Sequence, residues 1–154
     1  METLFNLEAD APTAPLAQTL PELVWLRAAT SPSLPAFTEL LDGELQTLTL
    51  SWAELDQRAA AIASLLVRLE APGLPVLLVY PPGTAFLTAF LGCLYAGAIP
   101  VPTYPPEPRR LQRSVERFRA IAADCDARLV LSTPELQALV EPMQALAPEL
   151  KRLA

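Results

Sequence analysis

The stretch VLLVYPPGTAFLTAFLGCLYAGAIPVPTYPP, residues Val76 to Pro106, decides the fold. Val76-Leu77-Leu78-Val79-Tyr80 is a short apolar run rich in strand formers, with Pro75 before it. Apolar side chains at every position predict a strand covered on both faces, as in the middle of a parallel sheet. Pro81 and Pro82 cannot continue a hydrogen-bonded ladder, and Gly83 lets the chain turn. Thr84 then reads as the N-cap of a helix over about residues 85–96. That helix is apolar almost all round, which predicts burial. Gly97 ends it in the left-handed conformation that other residues resist. Ile99-Pro100-Val101-Pro102 follows as a second extended segment, because each proline moves its predecessor out of helical space. Together these parts predict a right-handed β-α-β crossover.

Around this unit the signals are local and regular. Thr19-Leu20-Pro21-Glu22 has the pattern of a capping box and opens a helix to about Ala29, with Leu20, Leu23, Val24 and Leu26 to bury. Asp42-Gly43-Glu44 is a turn between two strand arms, 36–41 and 45–50. Ser51-Trp52-Ala53-Glu54 is the clearest capping box, with Leu50 and Leu55 at the staple positions. Leu55, Ala59, Ile62, Leu66 and Leu69 then recur at helical spacing. Downstream, Tyr104-Pro105-Pro106-Glu107-Pro108 forms a rigid loop. A helix follows over about 111–123, with Leu111, Val115, Phe118 and Ala122 on one face. A strand at 128–131 and a last helix from Ser132-Thr133-Pro134-Glu135 to about Leu146 complete the order. The expected fold class is α/β: a layered parallel or mixed sheet with helices on both faces. Residues 1–18 read as a flexible leader, 19–147 as one α/β unit and 148–154 as a tail.

Composition narrows the functions. The chain has 154 residues, 52% of them apolar and 18% charged, enough for one folded domain. Seventeen prolines against five glycines imply stiff connections. A net charge of −6 argues against general nucleic-acid binding. Residues 1–19 lack the basic start of a secretory signal, and 85–102, the one membrane candidate, is interrupted by Gly92, Gly97 and Pro100. Cys93 and Cys125 lack metal or redox spacing, which suggests a reduced, cytoplasmic protein. Histidine is absent and Lys151 is the single lysine. Ser-His and Cys-His catalysis, histidine metal sites and a core lysine nucleophile are thereby excluded. No metal site is expected.

Two core motifs and three further, partly overlapping stretches carry a family resemblance. Leu50-Ser51-Trp52-Ala53-Glu54-Leu55 resembles the first core motif of the acyl-adenylate-forming superfamily, with Trp52 where tyrosine is usual. Leu94 to Pro102, LYAGAIPVP, resembles the second. Leu77 to Gly83, Gly92 to Gly97 and Val101 to Pro106 are most similar to the fatty acyl-AMP ligase branch. The likeness covers about residues 20–135. It implies an enzyme that activates a fatty acid with ATP to acyl-AMP, helped by Mg²⁺, and passes the acyl group to an acyl carrier protein. The family's phosphate loop, its adenine and ribose motifs and its catalytic lysine lie downstream of these motifs, and none is found here. The resemblance therefore implies the first part of the large domain, inactive by itself, binding no cofactor alone and completed by the rest of the adenylation domain. Other readings are a fragment of an acyl-CoA ligase or of a peptide-synthetase adenylation domain, or a non-catalytic binding module on the same fold. A half-domain of this kind would expose strand edges and apolar faces, which implies self-association.

No catalytic residue is expected within the chain. Tyr80, Tyr95 and Tyr104 are the candidates for an acyl site, each with the plain alternative of a core ring whose hydroxyl is satisfied. Ser51, Trp52, Glu54, Pro81, Pro82, Gly83, Gly97, Pro100 and Pro102 are read as structural motif residues. The 80–84 turn sits at a strand's C-terminal end, where α/β folds bind ligands, but it lacks GxGxxG and GxxxxGK[ST] and reads first as a turn. Arg109, Arg110, Arg113, Arg117 and Arg119 hold five of the eleven basic residues. They read as a solvated helix face with pairs such as Glu116 to Arg119, with carrier-protein docking as the alternative.

Overall fold

A computed structural model describes residues 17–45 and 47–152. Most of the expected leader, residues 1–16, lies outside the described residues, as do Gln46 of the hairpin and residues 153–154 of the tail. The described elements are α1 (Leu20–Thr30), β1 (Pro35–Leu40), β2 (Thr47–Ser51), α2 (Trp52–Arg68), β3 (Pro75–Val79), α3 (Thr84–Ala96), β4 (Ile99–Thr103), α4 (Leu111–Asp124), β5 (Leu129–Ser132) and α5 (Val140–Leu146). Short 3-10 turns at Pro108–Arg110, Pro134–Leu139 and Pro148–Arg152 link the later elements.

β3 is the middle of a parallel three-stranded sheet in the order β4-β3-β5. Val76, Leu77, Leu78 and Val79 are all buried. Because strand side chains alternate, they serve two cores. Val76 and Leu78 pack with Leu66 of α2 and with Ala89, Cys93 and Ala96 of α3. Leu77 and Val79 pack on the other face with Val115, Phe118 and Ala122 of α4 and Met143 of α5. A third cluster joins α1 to α2 and α3 through Val24, Leu50, Leu55, Ala59 and Leu91. Gly92 lets α3 approach α2 closely, since a Cβ there would meet Ile62 at 2.6 Å and the Ala59 carbonyl at 3.1 Å.

β4 is an edge strand, and its sequence suits one. The Ile99 N–H donates to the Leu74 carbonyl at 2.9 Å, so Ile99, Val101 and Thr103 direct their amides toward β3. Pro100 and Pro102 hold the alternate positions, where the amides would face outward. The outer edge of β4 therefore lacks donors at those two positions, which blunts strand addition. Gly97 ends α3 at φ 70°, as expected of a left-handed cap.

β1 and β2 form a separate antiparallel hairpin, with a bulge between Pro35 and Phe37. The Asp42 carboxylate accepts from the Glu44 and Leu45 amides, so the turn is held by its own side chain. Only Leu50 of β2 is buried; Leu40, Leu41, Leu45 and Leu48 are exposed.

Both capping boxes form. Thr19 and Glu22 exchange side-chain and backbone bonds, and so do Ser51 and Glu54. Hydrogen bonds from the Ser51 amide and then the Ser51 hydroxyl hold the Glu54 carboxyl below its ordinary pKa. A depressed carboxylate stabilises the fold above its unfolded pKa, and that contribution is lost as pH falls through the folded value. Ser51→Ala should therefore destabilise the chain by about 1 kcal/mol near pH 7. Denaturant titrations should show the gap to wild type narrowing as pH falls below the ordinary carboxylate range; an unchanged gap would show that Glu54 is not coupled to Ser51.

Four expectations need correction. Thr84 is the first residue of α3 rather than its N-cap, which is Gly83 and has no side-chain cap. Leu20 and Leu23 are exposed, because α1 meets α2 and α3 through Val24 and the Trp25 ring instead. Leu69 is exposed too, since α2 has ended at Arg68 and the chain turns away through Glu70 at φ 55°. The last helix begins as the 3-10 segment Pro134–Leu139 and becomes α-helical only at Val140. Among the described residues no helix is long and apolar enough to cross a membrane.

Candidate functional site

Parallel strands carry their loops and helix N-termini to one end, so ligand sites gather at the C-terminal rim of such sheets. Among the described residues, three hollows lie there. The largest, about 480 Å³, opens beyond β3 and β5 and is lined by Val79, Phe118, Val130, Leu136 and Met143, with Gln137 and Gln144 among its polar groups. Ser132 donates to the Val79 carbonyl at 3.1 Å and ties the two strand ends together beside it. A second hollow of about 360 Å³ lies between the Tyr104-Pro105-Pro106 loop and Ser114, Arg117 and Phe118 of α4. A third, of about 150 Å³, lies between Pro82, Phe86, Pro102 and Tyr104. Pro106 and Phe118 border the first two, and Thr103 and Tyr104 border the last two.

The same rim carries the N-terminus of α3, the position where a phosphate would gain most from unpaired amides and the helix dipole. That position is taken from within the chain. Glu39 of β1 reaches across, and its carboxylate accepts from the Thr84 amide at 2.8 Å and the Thr84 hydroxyl at 2.9 Å. Gly83 makes the approach possible, because a Cβ there would overlap the Glu39 carboxyl group. Thr84 is buried and Glu39 half-buried, so this charge-assisted contact is partly shielded from water. Glu39 was not singled out in the sequence, where it reads as an ordinary hairpin residue.

The three candidate tyrosines do not converge. Tyr104, 69% exposed, stands at the rim hollows with the Arg117 guanidinium 5.1 Å from its ring centre. Tyr80 follows β3 at the same end but packs its half-buried ring on the α2/α3 core, and burial raises its pKa. Tyr95 lies near the far end of the sheet. α3 runs back along the strands, and the Gly97 carbonyl accepts from the Gly73 amide just ahead of β3. There Tyr95 donates to Asp56 at 2.8 Å and meets the Trp25 ring at 5.2 Å. Burial, then the Asp56 hydrogen bond, raise its pKa, so it stays a neutral donor.

Of the motif residues, Pro82 and Pro102 line the smallest hollow, Pro81 is exposed in the turn, and Trp52 packs half-buried against the third core cluster. Cys93 is buried without a cationic neighbour, and desolvation pushes its thiol up to about 11, which makes it inert. Among the described residues no three His, Cys, Asp or Glu side chains are grouped so as to hold a metal ion. Arg119 pairs with Glu149 rather than with Glu116.

Comparison with known proteins agrees with this architecture. The family described as AMP-binding enzyme matches residues 24–153. The chain is 36% identical over 140 residues to the medium-chain-fatty-acid–[acyl-carrier-protein] ligase JamA of Moorena producens, covering 90% of this chain and 24% of that protein. It is 40% identical over 122 residues to Disco-interacting protein 2 of Drosophila melanogaster, covering 77% of this chain and 7% of that protein. Among solved structures, a fatty acyl-adenylate ligase from L. pneumophila, in complex with acyl adenylate and pyrophosphate, superposes with a TM-score of 0.71 at 38% identity, covering 78% of this chain and 20% of that one. The chain thus spans about a quarter or less of the length of these relatives.

Proposed function

The chain belongs to the AMP-binding enzyme family, and from that premise we propose that it is the scaffold portion of a fatty acyl-AMP ligase, an enzyme that joins a fatty acid to AMP and delivers the acyl group to an acyl carrier protein. Similarity to JamA and to the L. pneumophila ligase supports this branch over acyl-CoA ligases and peptide-synthetase adenylation domains. The observation that carries the scaffold role is the Glu39 carboxylate on the α3 N-terminus. The family implies ATP and Mg²⁺ for the complete enzyme, but these residues do not fit them. The phosphate-competent helix end already holds an anion, and a second anion there would be repelled. The chain contributes a rigid two-faced sheet and an apolar rim against which the acyl and nucleotide sites of a complete ligase are assembled.

A chimera tests this. Residues 24–153 should replace the matching segment of the L. pneumophila enzyme and keep fatty-acid-dependent ATP–pyrophosphate exchange within about tenfold. The 154-residue chain alone should give no exchange above the enzyme-free background. A folded chimera without exchange, or turnover by the chain alone, would overturn the reading. The similarity to Disco-interacting protein 2 favours a second reading, a non-catalytic binding module, and the inactive chimera is the outcome that would select it.

A further inference from the structure

Resting on the ligase reading, we propose that Arg109, Arg110, Arg113 and Arg117, together with Tyr104, form the docking surface for an acidic acyl-carrier domain. The charge placement is the first ground. The chain is acidic overall at −6, yet these four arginines fall within nine residues of one another at the head of α4. Arg113 and Arg117 lie one helical turn apart, and Arg109 is one turn earlier in sequence spacing. All four are exposed, opposite the buried Val115, Phe118 and Ala122.

This arrangement does not serve the fold. The first turn of α4 carries no acidic residue, and its N-terminus has no side-chain cap. Cations at the positive end of a helix dipole are destabilising, and like charges four residues apart add to that cost. Arg119, further along, is neutralised by Glu149, whereas none of the four makes an ion pair among the described residues. A local arrangement that opposes stability points to a role outside the fold.

Tyr104 is the second ground. Its exposed ring lies beneath Arg117 at the mouth of the 360 Å³ hollow, backed by Pro105 and Pro106. Tyrosine and arginine held on a stiff backbone are the residue types that dominate protein interfaces. A guanidinium stacked on an aromatic ring keeps its edge donors for carboxylates. The patch is short, with Arg113 and Arg117 about 6 Å apart along the axis, so it fits one or two turns of an acidic helix. The surrounding negative charge disfavours long polyanions such as nucleic acid.

The test is fluorescence anisotropy of a labelled acyl-carrier protein titrated with the full chain. Arg113→Glu/Arg117→Glu should weaken binding at least about tenfold and flatten its salt dependence. Arg113→Lys/Arg117→Lys should retain the salt dependence, because the charge remains. The reversed side chains are exposed, so circular dichroism should match wild type, and melting should be no lower, since the reversal relieves the unfavourable charges at the head of α4. Wild-type affinity in the reversal variant would overturn the proposal. So would a wild-type chain that ignores the carrier protein and sediments instead with phosphatidylglycerol vesicles, which would assign the patch to a membrane surface. The exchange chimera judges the ligase reading separately: exchange without carrier binding refutes the docking surface alone.

Discussion

Gly83→Ala should destabilise the folded chain by on the order of 3 kcal/mol. Gly83 sits at φ 146° and ψ −168°, a region that side-chain-bearing residues avoid. Strain there contributes about 1–3 kcal/mol. The added Cβ would also overlap the Glu39 carboxyl group and displace it from the Thr84 amide and hydroxyl. Lost bonds to a charged acceptor add about 1.5–3 kcal/mol in shielded sites, and less here because Glu39 is only half-buried. The two causes can be separated. Glu39→Ala removes the bonds but makes room for the Cβ, so only backbone strain should remain to be added in the double variant. Urea titrations should then show the double variant less destabilised than the sum of the single variants by about 1 kcal/mol. Strict additivity would mean that Glu39 and Gly83 do not meet in the folded chain.

That contact also marks where sequence reading stops. The β3 signal of the central crossover is legible because four consecutive apolar residues can be buried only between two layers, and the β4 signal because its alternate prolines exclude a helix. Both capping boxes were visible because their partners lie three residues apart. The α3 N-terminus is not legible in the sequence because its partner lies 45 residues away, on a hairpin whose sequence pattern marks only a turn. Thr84 looks like a cap in isolation, yet it donates both its amide and its hydroxyl to Glu39. Asp56 carries no local signal for the same reason, as its hydrogen bond to Tyr95 spans 39 residues.

The tyrosines fail to gather for a topological reason. A crossover helix runs antiparallel to the strands it joins, so a residue near its C-terminus returns to the strands' starting end. Tyr95 is thereby carried away from Tyr104, although the two are close in sequence. The 3-10 start of the last helix was hidden because Pro134-Glu135-Leu136 is acceptable to either helix type. Its Leu136 and Gln137 border the 480 Å³ hollow, and Leu136 and Leu139 are only partly buried against the core, so packing there enforces an α-helical turn weakly. The rim hollows themselves required three separate segments to meet, and no short motif records that meeting.

Leu78→Ala should lower stability by about 3 kcal/mol, a large part of the roughly 5–15 kcal/mol of an ordinary domain. Leu78 has no solvent exposure and packs among Leu66, Ala89 and Cys93, already small or rigidly placed neighbours that cannot close over a cavity. Val79→Ala on the opposite face should cost only about 1 kcal/mol, because it removes fewer atoms and borders an existing hollow. The comparison tests the register of the sheet. A one-residue slip of β3 would exchange its faces, placing Leu78 toward α4 and Val79 toward α3. The slipped strand would make Val79→Ala the costlier change. Denaturation midpoints for both variants therefore decide whether the β3 pairing Leu78↔Pro102 and Leu78↔Leu131 is the one that forms in solution. If Leu78→Ala cost less than about 1 kcal/mol, the two-faced core on which the rim and its hollows are built would not exist as described.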